Sequence, residues 1–149
     1  MIRFFLVLLV TLVIDQLSKY IVMKNMLLGE SIPLVTGIFH LTYIQNPGAA
    51  FGMLAGKTWF FVVVTLLVLG AMAFGYRWIQ QSGALYQWAL GLVAGGAIGN
   101  LIDRIRFAKV IDFLDFRIWP VFNLADTAIC IGVGLILLDT LREFKKERN

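Results

Sequence analysis

The sequence predicts an all-α membrane protein of about four transmembrane helices, with a small sheet or extended platform between the first two. Three observations predict it. The 149 residues are 60% hydrophobic and only 15% charged, with a mean hydropathy of +0.84, whereas a soluble domain carries about 25% charged residues. A membrane-crossing helix takes about 20 apolar residues, so four would occupy about 80 and leave short loops around one bundle. The remaining stretch, residues 29–57, has a different pattern from the rest. The whole chain, 1–149, therefore reads as one integral-membrane domain with no room for a separate soluble one.

The first helix is expected from Phe4 to Met23, with Lys24 and Asn25 as its polar exit. Arg3 ahead of the apolar stretch Phe4 to Ile14 starts like a secretory signal. Asp15, Gln16 and Lys19 stand where a small-residue cleavage site belongs, so the segment is expected to remain as a helix. After it, Ile32 to Ile44 mixes β-branched and aromatic residues with glycine and proline breaks. Phe39, Leu41 and Tyr43 alternate with His40 and Thr42, a strand pattern closed by the turn-rich Asn46, Pro47 and Gly48. The second helix is expected from Trp59 to Trp78, uncharged until Arg77 and bracketed by tryptophans as interfacial anchors. Gln80 to Gly83 make a turn. In the third helix, Leu85 to Ile102, Gly91, Gly95, Gly96 and Gly99 place small residues on one face, which predicts close packing. The fourth, Asn123 to Leu141, is entered after Trp119 and Pro120, since proline tolerates a helix start better than its interior.

The formal charge is +4. At the tail Arg142, Lys145, Lys146 and Arg148 outnumber Glu143 and Glu147, as expected of a cytoplasmic end, and an even number of spans puts both termini on that side. The loop between helices three and four holds as many cations, Arg104, Arg106, Lys109 and Arg117, mixed with Asp103, Asp112 and Asp115, so charge alone does not orient the chain. A basic fringe beside a membrane helix sets topology or touches anionic lipid; it does not imply nucleic acid. Cys130, the single cysteine, lies in the apolar run Ala128 to Leu138, cannot form an intrachain disulfide and reads as packing.

Burying an aspartate at the centre of a membrane helix costs about 2.5–3.5 kcal/mol, so acids among apolar neighbours are candidates for chemistry. Asp139, near Arg142, reads as one half of an exposed pair, and Asp115 as a solvated loop residue. Asp126, within Phe122 to Asp126, and Asp112, between Ile111 and Phe113, have apolar neighbours on both sides. The helix dipole also favours an acid at Asp126, although Asn123 already supplies an N-cap. If helices three and four form an antiparallel hairpin, the two aspartates reach the same membrane face. Two carboxylates in a partly dry site share a proton: one takes a proton from water while the other polarises an amide carbonyl and then protonates the leaving amine. Rival chemistries are poorly supplied. His40 is the only histidine, no Gly-x-Ser-x-Gly turn occurs, Cys130 lacks a neighbouring base, and a catalytic metal usually wants two or more histidines. An aspartate-only site for a hard cation stays open. Asp15 and Lys19, four apart, share a helix face and can pair. Asn100, Asp103 and Arg104 gather more polar groups than a helix end requires.

These residues resemble the bacterial lipoprotein signal peptidases, the type II signal peptidases, over nearly the whole chain. The likeness rests on Asp15 with Lys19, on Asn46 to Gly52, on Gly95 to Arg104, on Val110 to Phe113 and on Phe122 to Asp126, in that order. It implies four membrane helices, an extracytoplasmic β-cradle after the first, both termini in the cytoplasm and a site toward the outer face of the bacterial cytoplasmic membrane. It assigns Asp112 and Asp126 as the catalytic pair. Asp15, Lys19, Asn46, Gly48, Asn100, Asp103, Arg104, Asn123 and Ala125 match further characteristic positions that shape the site and bind substrate. The implied substrate is a prolipoprotein whose cysteine carries diacylglycerol, cut just before that cysteine, with membrane lipid around it. No cofactor, metal or obligate protein partner is implied. The segment Gly48 to Leu54 is expected to lie over the substrate as a lid, and the short stretch Phe113 to Val121 leaves little for an outer loop. Two other readings are a proton- or ion-coupled transporter, whose acids usually sit at the midplane of inverted repeats whereas here they gather near one membrane face, and a non-enzymatic membrane adaptor packed on its glycine face, which leaves Asp112 and Asp126 without a reason for their apolar surroundings.

Overall fold

The computed structural model describes residues 1–48 and 54–147. In chain order they form α1 (Ile2–Asn25), β1 (Ser31–Val35), β2 (Phe39–Asn46), α2 (Thr58–Phe74), α3 (Tyr76–Gln81), α4 (Ala84–Phe107), β3 (Val110–Asp115) and α5 (Leu124–Glu147). Among the described residues, three helical stretches are long and apolar enough to cross a membrane: Ile2–Asn25, Ala84–Phe107 and Leu124–Arg142. The continuous helix expected from Trp59 to Trp78 breaks at Gly75 into α2, which is apolar but shorter, and α3. Glycine is about 1 kcal/mol poorer than alanine inside a helix, and the Gly75 N–H closes α2 onto the Ala71 carbonyl at 2.8 Å. The outer faces of α1, α2 and α5 expose Leu9, Val13, Leu67, Leu137 and Leu141, a surface that lipid solvates and water does not.

Helix α4 is the centre of the bundle, packed by α1 on one side and α5 on the other. Its glycines explain how closely. A Cβ on Gly91 or Gly95 would stand 2.8 Å from the Phe4 carbonyl or 2.7 Å from the Leu8 carbonyl of α1. One on Gly96 would meet the Ala125 carbonyl of α5 at 2.5 Å. The stripe expected as one face thus serves two neighbours, because residues 91, 95 and 99 recur every fourth position while Gly96 is rotated by about 100°.

The platform between α1 and α2 supplies two strands of a three-stranded antiparallel sheet of order β1-β2-β3. Its third strand, Val110–Asp115, comes from the stretch expected to be a loop. β3 is buried at all but one of its positions, so it lacks the alternation that marks a half-exposed strand. Ile44 pairs with Asp112, Asn46 with Val110 and His40 with Asp115. Val22, Met26, Tyr43, Ile111 and Phe113 form the core that seats the sheet on the end of α1. A second core, Phe4, Ile79, Leu90 and Ala94, closes the opposite end of the bundle. The expected lid falls largely on residues 49–53, outside the described residues, as does Arg148 of the basic tail.

Candidate active site

The junction of β3 with α5 brings the two candidate aspartates together. Asn123 caps α5: its amide oxygen accepts the Asp126 N–H at 2.9 Å, and an Asp126 carboxylate oxygen accepts the Asn123 N–H at 3.3 Å. Asp126 therefore does start the helix, and its other oxygen, held by Asn100 Nδ2 at 2.8 Å, is turned to the site. The Asn123 amide nitrogen donates to Asp112 at 2.6 Å and to Asn100 Oδ1 at 3.1 Å. Asp112 accepts a second hydrogen bond, 2.9 Å, from Asn46 Nδ2 on the neighbouring strand. Asp112 and Asp126 line one cavity of about 380 Å³ together with Asn46, Gly48, Asn100 and Arg104.

Asp112 is 2% exposed. Burial, and after it the nearby charge of Asp126, pushes its carboxyl up to about 7, against the hydrogen bonds from Asn46 and Asn123 that favour the ionised form. Near neutral pH this carboxyl holds or releases a proton readily, as an acid–base group must. Arg104 carries the cavity's positive charge. Its guanidinium lies 4.8 Å above the Phe61 ring, and it interacts with both Asp126 and Asp112.

Asp15, Lys19 and Asp103 do not line the cavity; they stand behind it. The Lys19 ammonium pairs with Asp15 and Asp103, each at 2.9 Å, and donates to Asn100 Oδ1 at 3.0 Å. Asp15 accepts the Ala125 N–H at 3.0 Å, tying α1 to the start of α5, and Asp103 accepts the Ile111 N–H at 3.1 Å, tying α4 to β3. All three are buried, so this lattice holds the aspartate-bearing elements in place. Ala125, fully buried, serves through its backbone.

Sequence reading missed several participants. Gln16 bridges Asp15, the Gly99 carbonyl and Asp103, at 3.1 to 3.2 Å. Phe61, Phe122, Ile129 and Cys130 line the cavity. Cys130 is exposed, where packing was expected, because it projects from α5 one turn after Asp126. Asp115, expected in solvent, is 4% exposed. As the end of β3 it opposes His40 on β2, and it accepts hydrogen bonds from Thr42, the Arg117 N–H and the Arg117 guanidinium. Burial opposes ionisation of Asp115, but these hydrogen bonds outweigh it and hold the carboxyl below the usual range. Asp139 forms no ion pair with Arg142 among the described residues.

The model of one protein family, described as signal peptidase (SPase) II, matches residues 7–142. The chain belongs to the signal peptidase II family. Among its relatives are lipoprotein signal peptidases of Moorella thermoacetica, 55% identical with 89% of each chain covered, and of Pelotomaculum thermopropionicum, 51% identical over 97% of this chain and 98% of that one. That of Halothermothrix orenii is 49% identical over 90% of this chain and 92% of the other. Two solved bacterial membrane enzymes, both obtained by the in meso method, share the signal peptidase II chain's fold. One superposes with a TM-score of 0.87 at 34% identity, covering 95% of this chain and 88% of that one; the other has a TM-score of 0.82 at 36% identity, with 91% and 90% covered.

Proposed function

We propose that the protein is an aspartic endopeptidase of the bacterial cytoplasmic membrane that removes signal peptides from prolipoproteins, cutting just before a diacylglyceryl-modified cysteine. One observation carries the aspartic mechanism: Asp112 and Asp126 share a cavity, cross-linked by Asn123 and Asn100, in a member of the signal peptidase II family. The substrate comes from the relatives, which are named lipoprotein signal peptidases.

In this reading Asp112 holds the shared proton and Asp126 is the base. Asp126 takes a proton from water, the hydroxide adds to the scissile carbonyl carbon, and Asp112 gives its proton to the carbonyl oxygen. As the C–N bond breaks, one carboxyl's proton goes to the amine nitrogen and the other carboxylate takes back the proton on oxygen. Arg104 steadies the anionic pair. The chain is one peptidase domain in which α2 with α3 supplies a fourth crossing, the three-stranded sheet lies on the outer membrane surface and both termini are cytoplasmic. A lipid anchor on the cysteine then holds the scissile bond at the depth of Asp112 and Asp126, where β3 meets the start of α5.

The decisive assay is cleavage of a diacylated precursor by the purified, detergent-solubilised protein. The native chain is expected to cut before the lipidated cysteine, while folded Asp112→Asn and Asp126→Asn variants lose at least about a thousandfold in rate, comparable with loss of a catalytic acid or base. Normal cutting by either variant removes that residue from the mechanism, and no cutting by the native chain overturns the peptidase reading.

A further inference from the structure

The second polar cavity lies at the end of the bundle remote from the sheet. It has a volume of about 410 Å³ and is bounded by Trp78 and Gln81 of α3, Ser82, Tyr86 of α4, and Asp139 and Thr140 of α5. Asp139 is its one charged lining residue among those described. The Trp78 and Tyr86 rings meet edge to face, with centroids 4.9 Å apart and planes at 83°. A carboxylate in a cavity also lined by two aromatic rings is chemistry for a cation, ammonium or guanidinium.

Its position says which cation. Both cavities are walled by α4 and α5, with α2 or its continuation α3 on the other side. About four helical turns, roughly 21 Å, separate Asn100 from Tyr86 along α4, and the same interval separates Asp126 from Thr140 along α5. A near-whole number of turns returns both helices to nearly the same face. Between the two levels the side chains are apolar: Leu69, Leu90 and Ile136 pack in one cluster. A secretory signal peptide has a basic leading segment followed by an apolar stretch of about 7–15 residues, and about 14 residues of helix span this separation.

We infer that the Trp78–Tyr86–Asp139 cavity is a subsite for the basic leading segment of the signal peptide, engaged while the scissile bond lies at Asp112 and Asp126. The inference rests on the peptidase reading above. Arg3, Arg77 and Arg142 around this end repel a cation, so Asp139 and its ring pair mark the place where one is held. The contact measures where the precursor's apolar stretch begins and sets its depth against the catalytic pair.

The test is a cycle of two precursors and two enzymes in vesicles of fixed composition: one precursor with lysines in its leading segment, one with those lysines changed to glutamine, each cut by the native chain and by Asp139→Asn. The expected result is a KM rise of about threefold to fivefold for the variant on the basic precursor, the size of an exposed ion pair or cation–π contact, and a clearly smaller rise on the neutral one. Trp78→Ala is expected to act in the same sense. Asp139→Lys is expected to prefer a precursor with glutamates in the leading segment, which separates charge recognition from a folding defect. Equal effects on both precursors, or no reversal by the charge swap, overturn the subsite while leaving the peptidase intact. A response that follows the ethanolamine-lipid content of the vesicles, and not the precursor's charge, assigns the cavity to a lipid amine and also overturns it. If the native chain cuts neither precursor, the peptidase reading has failed and the subsite falls with it.

Discussion

Lys19 is 1% exposed, and its ammonium has two carboxylates and one amide oxygen around it. Replacing it with methionine leaves Asp15 and Asp103 buried without a cation, which costs about 3–5 kcal/mol. Thermal unfolding of Lys19→Met in detergent is expected to fall sharply even though no atom of Lys19 lines the cavity. Asp112 is expected to set the alkaline limb of the pH–rate profile near its value of about 7, because its proton is lost there. Asn46 donates to the ionised form, so Asn46→Ala removes a group that lowers the carboxyl's pKa, and the limb is expected to move to higher pH. Stability follows the same group. Between its ordinary value of 3.8 and about 7 the folded protein binds a proton that the unfolded chain releases, so stability falls as pH rises through that window. Asp112→Asn is expected to flatten this slope in unfolding midpoints measured from pH 4 to pH 7. Asp115, whose carboxyl is held low, acts in the opposite sense and below that window.

Among the elements, α4 has the tightest steric requirements. A Cβ on Gly99 collides with the Asp15 carboxylate, and one on Gly96 with the Ala125 carbonyl. Gly99→Ala and Gly96→Ala are each expected to cost about 1–3 kcal/mol, as overpacked cores do. Activity should fall with stability, since Asp15 and Ala125 hold the start of α5. Gly70 of α2 has nothing within 4 Å of its Cβ position, so Gly70→Ala is expected to unfold no earlier than the native chain. Equal losses at all three positions in a thermal scan would contradict the packing described. Strand β3 is held to α4 by the hydrogen bond from Ile111 to Asp103 and to α5 by Asn123, so the sheet and the bundle position Asp112 jointly.

For the molecule as a whole, the proposed orientation places the sheet and the Phe116 to Trp119 turn outside. Ile118 is 94% exposed. In a background with Cys130→Ala, an Ile118→Cys variant in intact cells is expected to react with a membrane-impermeant thiol reagent, and a cysteine placed at Arg3 is expected to react only after the cells are opened. The reverse pattern inverts the topology and moves the candidate site to the cytoplasmic face. The proposed fourth crossing is tested by the same labelling at Lys57 and Ser82, which flank α2 and α3 and should report opposite sides.

Composition and the spacing of apolar runs determined the membrane-helical character of the chain, and the pairing of Asp15 with Lys19 followed from helical periodicity alone. The alternation in Phe39 to Tyr43 was enough to find β2, because that strand is only partly buried. The short-range signals ended where burial became continuous. β3 has no period to read, and its partner strand lies more than sixty residues earlier in the chain, so its existence and the burial of Asp115 were decided by tertiary pairing. The order of the motifs named Asp112 and Asp126, but only the packed structure placed them in one cavity and put Asp15, Lys19 and Asp103 behind it. Sequence distance carries no information about which buried polar group will satisfy another. Desolvation requires that each find a partner, and the approach of α1, α4 and α5, made possible by small residues at their contacts, decides which partner it is.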